Sequence, residues 1–200
     1  MRKIKSKQWW QMEVGRVILI GASTGGPGQI ESIIKALPSL RHTTIIIAQH
    51  MASDFLGSFA KRMSQQSANS VYIIENKVVL EAGCIYVAQG VVTLTEEREK
   101  LLFHLSPPKE SRFNPDINSI FSAFAPYTKR FKTLGVILTG IGDDGVQGCK
   151  ELALQGARTL TQTAQSAIVD GMPARARQEV EGIEILNTDE IKNKITEFCT

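Results

Sequence analysis

Three kinds of polar side chain that together could attack an ester follow three separate apolar runs of the chain. Ser23 follows "VILIGA", His50 follows "TTIIIAQ", and Asp143 and Asp144 follow "TLGVILTGIG". Acyl transfer needs such a set, because a serine hydroxyl attacks only when an imidazole takes its proton and a carboxylate orients that imidazole and stabilises its charged form. The residue types therefore point to the chemistry of a serine hydrolase.

The serine lies in "GASTG", residues 21–25, which matches the G-x-S-x-G motif. In that motif a strained turn between a strand and a helix lifts the serine clear of the sheet. A glycine-rich turn before a helix also holds phosphate through its backbone amides, so Ser23 could instead be one contact of a nucleotide loop. The segment lacks the G-x-G-x-x-G spacing and the G-K-[ST] lysine of such loops, and the order Ser, His, Asp differs from that of α/β-hydrolases. The motif alone leaves both interpretations open.

The other two residues also have ordinary structural explanations. Asp144 could cap a helix that begins at Gly145, and His50 could be a satisfied polar residue at the end of a strand. His42, in the polar entry to a strand, and His104, expected to face solvent from a hairpin, are weaker candidates. No pair of histidines or cysteines has the spacing of metal ligands.

Strands and helices alternate along the chain, which predicts βαβ units and a mostly parallel, doubly wound sheet with helices on both faces. The predicted strands are 16–20, 43–48, 71–75, 133–140, "RTLTQT" and "IEIL", with a loop through "DGMPARA" between the last two, and the predicted helices are 26–37, 54–63, 115–124, 146–156 and one that begins at Thr188. Ser53 is the predicted cap of the second helix, and Asn114 and Pro115 are predicted to open the third, as cap and first-turn proline.

Between Val78 and Leu105 the pattern changes to short alternating segments, "CIYVA", "VVTLT" and "LLFHL". This pattern predicts an antiparallel meander or hairpin added to the main sheet. In open parallel sheets, ligands bind beyond the carboxyl ends of the strands. The serine, the histidine and the aspartate are therefore expected to meet at one edge of the sheet.

The 200 residues, of which 42% are hydrophobic and 22% charged, suit one α/β domain with a full core. No apolar stretch approaches the roughly 20 residues of a membrane helix, and no apolar segment of a signal peptide follows the basic start, so neither membrane insertion nor export is expected. Cys84, Cys149 and Cys199 are widely spaced, which favours reduced cysteines in the cytoplasm. The net charge of +3, with Arg2, Lys3, Lys5 and Lys7 at the start, predicts a solvated arm over residues 1–15 and gives little support to nucleic acid binding.

Longer segments carry a more specific signal. The chain contains, in this order, "GASTGGPGQIESIIKALP", "IIIAQHM", "AGCIYVAQG", "RFNPDINSIF", "GVILTGIGDDGVQGCKEL" and "GMPARA". Over about residues 16–187 the chain thus resembles the catalytic domain of the bacterial chemotaxis protein-glutamate methylesterases, the CheB family. The resemblance implies a doubly wound α/β fold and hydrolysis of glutamate γ-methyl esters on the cytoplasmic helices of chemoreceptors. Many members of the family also deamidate glutamine there, so deamidation is a second activity that the resemblance implies.

Carried over by position, the resemblance puts the nucleophile on Ser23 in "GAST", the base on His50 in "QHM" and the carboxylate on Asp144 in "GDDG". Asp143 falls on a variable position. Thr24 matches a residue beside the nucleophile that is implicated in the family's site. These matches imply a Ser-His-Asp mechanism that requires no metal or organic cofactor.

Two positions depart from the family pattern. Ile141 stands in "TGIG" where many relatives have a methionine that lines the site, and Ala164 stands where relatives often have a glutamate before the "GMP" segment. A backbone N–H at position 141 can donate to an oxyanion whether the side chain is isoleucine or methionine. The amides near Thr24 and Ile141 are therefore the candidate donors to the oxyanion.

The resemblance also has a consequence for domain organisation. Typical members carry an N-terminal receiver domain whose aspartyl phosphorylation relieves inhibition of the esterase, whereas about 15 residues precede the first predicted strand here. Residues 16–200 are therefore expected to form the catalytic domain, either of a member without a receiver domain or of a longer protein. The expected partners are methylated chemoreceptor cytoplasmic domains, and the sequence does not bear on oligomeric state.

Overall fold

The structure of the protein is a computed structural model, and it describes residues 13–106 and 113–200. The strands of this part are β1 (Arg16–Ala22), β2 (Thr43–Gln49), β3 (Ser70–Ile73), β4 (Cys84–Val87), β5 (Val91–Glu97), β6 (Lys100–Ser106), β7 (Lys132–Ile137), β8 (Arg158–Gln162) and β9 (Glu184–Leu186). The helices are α1 (Gly26–Ala36), α2 (Ser53–Gln66), α3 (Ile117–Phe124), α4 (Val146–Leu154), α5 (Met172–Glu179) and α6 (Thr188–Cys199).

Seven of these strands form one sheet in the order β3-β4-β2-β1-β7-β8-β9, and every neighbouring pair is parallel. The remaining pair, β5 and β6, forms a separate antiparallel hairpin. From the central strand β1 the chain adds β2 on one side and, much later, β7 on the other. The predicted fold class, a doubly wound α/β domain with an added hairpin, is confirmed.

The central strand β1 shows how the sequence builds two cores. Its fully buried side chains alternate between the faces of the sheet, as they must in a strand. Val17 and Leu19 pack into the core beneath α3, α4 and α5, whereas Ile18 and Ile20 pack into the core beneath α1, α2 and α6. Because both faces are removed from water, the strand is a continuous apolar run.

The prediction for "CIYVA" is wrong. These residues form β4, which lies in the main sheet parallel to β2 and β3, and only β5 and β6 make the antiparallel hairpin. The physical reason is burial, since all four residues of Cys84–Val87 are buried. A strand covered on both faces belongs to the interior of a parallel sheet.

The predicted starts of two helices are also wrong. α3 begins at Ile117 and is capped by Asp116, whose side chain accepts a hydrogen bond from the backbone N–H of Ser119 at 2.7 Å. Asn114 instead links two other segments of the chain. Its Oδ1 accepts a hydrogen bond from the backbone N–H of Gly90, and its Nδ2 donates to Ser53 Oγ. α2 likewise starts at Ser53 itself, and Ala52 precedes it without a side-chain cap.

The segment "DGMPARA", predicted as a loop, enters a helix. α5 begins at Met172, and the proline at position 173 lies in its first turn, where a missing backbone N–H costs nothing. In the described ranges, no helix is long and apolar enough to span a membrane. Residues 1–12 of the predicted arm lie outside the described residues.

Candidate active site

Ser23 lies directly after β1, in the turn that leads into α1. Its backbone is held on three sides: its N–H donates to the Thr139 carbonyl at 2.9 Å, and its carbonyl accepts from Gly26 N–H at 2.9 Å and from the Gln49 side-chain amide at 2.8 Å. The residue is half-buried. The turn therefore fixes the main chain of the serine while leaving its side chain partly accessible.

The turn depends on glycine. Gly25, which precedes α1, has φ of 83°, in the left-handed region that favours glycine, and a methyl group there would lie 2.7 Å from the Cβ of Ile168. Gly26 is the first residue of α1, so Ser23 lies beside the amino end of this helix. The helix dipole makes that end favourable for negative charge.

His50 lies directly after the neighbouring strand β2, next to the end of β1. Ala22 pairs with Gln49 across β1 and β2, and the backbone N–H of His50 donates to the Ala22 carbonyl at 2.9 Å. Neighbouring strands are about 4.8 Å apart, so Ser23 and His50 are adjacent residues on the sheet edge. Among the described residues, the Ser23 hydroxyl and the imidazole do not form a hydrogen bond. Catalytic hydrogen bonds of this kind often tighten only when substrate binds.

The imidazole of His50 is fixed by two contacts. Its Nε2 lies 2.7 Å from Oδ2 of Asp144, and its ring stacks on Phe113 with centroids 4.9 Å apart and planes 2° apart. A carboxylate only accepts hydrogen bonds, so Nε2 carries the proton in this pair. In the neutral ring, Nδ1 is then the nitrogen with a free lone pair.

The two aspartates of "GDDG" differ sharply in their surroundings. Asp143 is exposed, whereas Asp144 is 2% exposed. Besides the imidazole, the carboxylate of Asp144 accepts from the backbone N–H groups of Ile117 at 2.9 Å and of Asn118 at 3.0 Å. The alternative interpretation, in which Asp144 caps the helix that follows it, is therefore wrong, because α4 has no side-chain cap and the carboxylate binds the start of α3 instead.

The candidate oxyanion donors belong to Thr24, the residue after the serine, and to Ile141, the residue after Gly140, where an added methyl group would lie 2.7 Å from Ser23 Cβ. Within the part of the chain that the structure describes, the backbone N–H groups of Thr24 and Ile141 have no hydrogen-bond partner, so both are free to bind an anion. The carbonyl of Thr24 accepts from the Thr139 hydroxyl at 2.9 Å, which fixes the following peptide, between Thr24 and Gly25. The side chain of Ile141 is 64% exposed, so it does not pack into the core.

Sequence reasoning missed two buried residues of this site, Gln49 and Thr139, which are 1% and 0% exposed. Each places polar side-chain atoms against the main chain of the serine turn. The available signal was a polar residue at the end of a buried apolar strand, where an unpaired polar group is costly.

The other histidines lie elsewhere. His42 precedes β2, and its Nδ1 lies 3.2 Å from the carbonyl of Glu13, at the opposite end of the sheet. His104 lies in β6, and it is half-buried rather than facing solvent as expected. Within residues 13–106 and 113–200, no group of three or more His, Cys, Asp or Glu side chains could hold a metal ion.

Comparison with known proteins places the chain in a family. The family model described as CheB methylesterase matches residues 18–195. The chain belongs to the CheB methylesterase family. The CheB methylesterase catalytic domain of Thermotoga maritima has the same fold, with a TM-score of 0.82 and 28% identity over 92% of this chain and 98% of that one.

Curated relatives of this CheB-family chain carry matching names. A protein of Carboxydothermus hydrogenoformans, "Protein-glutamate methylesterase/protein-glutamine glutaminase 2", is 34% identical over 188 residues, which cover 92% of this chain and 53% of that protein. A Vibrio vulnificus protein of the same name is 39% identical over 165 residues, or 80% of this chain and 47% of that one. The chain spans about half the length of the curated relatives it matches.

Proposed function

We propose that this chain is a protein-glutamate methylesterase domain that uses Ser23 as nucleophile, His50 as general base and Asp144 as the orienting carboxylate. The observation that carries the proposal is the 2.7 Å hydrogen bond between His50 Nε2 and Asp144 Oδ2, beside the strand-end turn that presents Ser23. This bond leaves Nδ1 of the imidazole as the proton acceptor.

The acylation step follows from these groups. Ser23 Oγ attacks the γ-carbonyl carbon of a glutamate methyl ester as its proton passes to Nδ1 of His50, and the resulting imidazolium is stabilised by Asp144. The tetrahedral intermediate collapses when the imidazolium returns the proton to the methoxy oxygen. Methanol leaves, and the glutamyl group stays bound to the serine.

The deacylation step uses the same residues. A water molecule gives a proton to Nδ1 of His50 and attacks the acyl carbon, after which the serine takes back its proton and the free glutamate side chain leaves. If the substrate is a glutamine amide, the leaving group is ammonia instead of methanol. Both reactions agree with the names of the curated relatives.

The oxyanion of both intermediates lies, in this proposal, between the free N–H groups of Thr24 and Ile141 and close to the amino end of α1. One such donor contributes roughly 3–4 kcal/mol to the stabilisation of a transition state in comparable sites. Fixed donors suit this task because they need no reorganisation when charge develops. The peptide that carries the Thr24 N–H is fixed through the Ser23 carbonyl, which accepts from the Gly26 N–H and from the Gln49 amide.

The proposed substrates are methylated glutamates on the helical cytoplasmic domains of chemoreceptors, and the proposed compartment is the cytoplasm. The half-buried serine at an open sheet edge suits a side chain that projects from a protein surface. In this proposal, residues 16–200 form the catalytic domain.

The decisive experiment measures release of volatile methanol from a methylated receptor cytoplasmic fragment. The wild-type chain and Ser58→Ala, which removes an exposed hydroxyl in α2, should release methanol at equal rates. Ser23→Ala should lower the rate by roughly 10⁴-fold or more while the free energy of unfolding changes by less than about 0.5 kcal/mol. Methanol release by Ser23→Ala at the wild-type rate would refute the assignment.

Labelling by a fluorophosphonate separates the remaining alternatives. Covalent labelling at Ser23 without methanol release would show a serine hydrolase for another ester. Stabilisation against heat by nucleotides, without labelling, would instead support the nucleotide loop. The proposal requires labelling in the wild-type and Ser58→Ala proteins and none in Ser23→Ala.

A further inference from the structure

We infer that Gln49 is a positioning residue, which fixes the distance between the nucleophile and the base by hydrogen-bonding to the backbone of each. The inference rests on the proposed function. Its side-chain nitrogen donates to the Ser23 carbonyl at 2.8 Å and to the His50 carbonyl at 3.0 Å. One amide group thus bridges the two residues between which the first proton transfer takes place. It touches neither the hydroxyl nor the imidazole, so it acts through the main chain alone.

The orientation of this amide is forced by its partners. Both neighbours of its nitrogen are carbonyl oxygens, which only accept hydrogen bonds, so the NH₂ group and not the oxygen must face them. The other end of the amide, Oε1, is buried and has no partner among the described residues. An unpaired buried acceptor is unfavourable, and a side chain of the same length without polar atoms would avoid it. What the glutamine adds is therefore the pair of bonds to the two carbonyls.

The neighbouring glycine fits this arrangement. A methyl group on Gly26 would lie 2.1 Å from Gln49 Oε1 and 2.7 Å from the Cβ of Ala22, so the first residue of α1 must lack a side chain for the amide to reach the turn. Gly26, the glycine directly after the "GASTG" motif, thus accommodates the glutamine. The glutamine in turn fixes the spacing between the ends of β1 and β2.

Without the glutamine, the strand pairing alone would constrain the spacing between the ends of β1 and β2 less tightly. The last backbone hydrogen bond between the two strands runs from His50 N–H to Ala22 O, and beyond it the chains diverge into α1 and toward α2. The Gln49 amide adds a link on the far side of that bond. Because a displacement of about 1 Å in a catalytic group can lower a rate by about 100-fold, this link controls turnover more than folding.

The test compares Gln49→Met with a matched control. Asn69→Leu also removes a mostly buried amide that makes two backbone bonds, to Leu40 N–H and to the Pro38 carbonyl, but at the opposite end of the sheet. Both variants should melt at lower temperature. Only Gln49→Met should lower kcat for methanol release and the rate of fluorophosphonate labelling, each by about 10- to 100-fold. Its KM should stay within about twofold, since the amide does not contact substrate.

Gln49→Glu serves as a second variant, because it preserves shape and size while it cannot donate to both carbonyls at once. It should also lower kcat at nearly unchanged KM. Normal labelling and kcat in folded Gln49→Met or Gln49→Glu would overturn the inference, and so would an equal loss in Asn69→Leu. Labelling tests the role of Gln49 even where the receptor proves to be the wrong substrate. A wild-type protein that is never labelled would refute the nucleophile and this inference with it.

Discussion

His50 and Ile117 share one hydrogen-bond acceptor, the Oδ2 atom of Asp144. The imidazole nitrogen lies 2.7 Å from this oxygen and the backbone nitrogen 2.9 Å, while Asn118 N–H binds the other oxygen. The proposed catalytic carboxylate therefore also caps α3. Orientation of the imidazole and anchoring of a helix depend on the same group.

Asp144→Ala should consequently lose activity and stability together. We expect kcat to fall by about 10⁴-fold, because the imidazole loses its orienting partner, and the free energy of unfolding to fall by about 1–3 kcal/mol, because two helix N–H groups lose theirs. Methanol release and urea unfolding measure the two effects. Asp116→Ala, which removes the other cap of α3, should cost about 1 kcal/mol with activity largely retained. An inactive Asp144→Ala protein of full stability would contradict the dual role.

Gly140→Ala tests how closely the segment between β7 and α4 approaches the proposed nucleophile. A methyl group at this position would lie 2.7 Å from the Cβ of Ser23 and 2.2 Å from Sδ of Met172. The methionine side chain can move aside, whereas the serine is held by its backbone, so we expect kcat to fall by about 100-fold. The free energy of unfolding should fall by about 1–3 kcal/mol.

Gly57→Ala is the control for that substitution. Gly57 lies inside α2, and an added methyl group would meet nothing within 4 Å. Alanine should raise the free energy of unfolding by about 0.5–1 kcal/mol, because it favours the helix and restricts the unfolded chain. Its kcat should equal that of the wild type. Equal activity of the two alanine variants would show that Gly140 does not crowd the serine.

Ile141→Met separates a side-chain role from a backbone role at the proposed oxyanion site. The isoleucine side chain is 64% exposed, so the substitution should change the free energy of unfolding by less than about 0.5 kcal/mol. If the backbone N–H binds the oxyanion, kcat for methanol release should stay close to that of the wild type, because both residues supply the same N–H. A large change in kcat would assign the effect to the side chain.

The three buried cysteines should be inert in the native protein. Burial raises the pKa of Cys149 to about 12 and that of Cys199 to about 11, and burial also raises the pKa of Cys84 above its usual value. At pH 8 the folded chain therefore holds neutral thiols, which do not attack disulfide reagents. Ellman's reagent should react with the thiols only after denaturant is added. A thiol that reacts fast in the folded protein would contradict this burial.

The same shifts predict how stability depends on pH. In the unfolded chain a thiol ionises near its ordinary pKa of 9.0, whereas the folded state keeps it neutral to higher pH. The folded state thus binds more protons between the two pKa values, so the thiols make stability fall as pH rises above about 9. Urea unfolding of the wild type at pH 8 and pH 10 should show this loss. A variant with all three cysteines replaced by alanine should show a smaller dependence.

The sequence predicted those features of the fold that depend on the hydrophobic pattern within one segment. The continuous apolar runs of β1, β2 and β7 predicted buried parallel strands. Because Ser23, His50 and Asp144 follow the ends of these strands, the same runs predicted that the three residues lie near one another. The assignment of "CIYVA" to the hairpin was wrong because strand partners are set by the rest of the fold. A run of four buried residues has no period that distinguishes parallel from antiparallel pairing.

Long-range polar contacts could not be predicted in this way. Asp144 caps a helix whose first residues precede it by 26 and 27 positions, whereas the local pattern offered only the helix just after it as a structural alternative. The role of Gln49 depends on the register of β1 against β2, which no spacing within one segment reveals. Side-chain bonds to distant backbone groups appear only once the sheet is assembled.

The proposed nucleophile follows β1, whose backbone is hydrogen-bonded to a strand on each side and whose apolar side chains are fully buried. Such a strand exchanges its amide hydrogens with deuterated water only when the whole domain opens, whereas the edge strands β3 and β9 exchange by fraying. Mild denaturant should therefore loosen the margins of the sheet while the hydrolytic groups stay assembled. Turnover should disappear only at the concentration that unfolds the whole molecule.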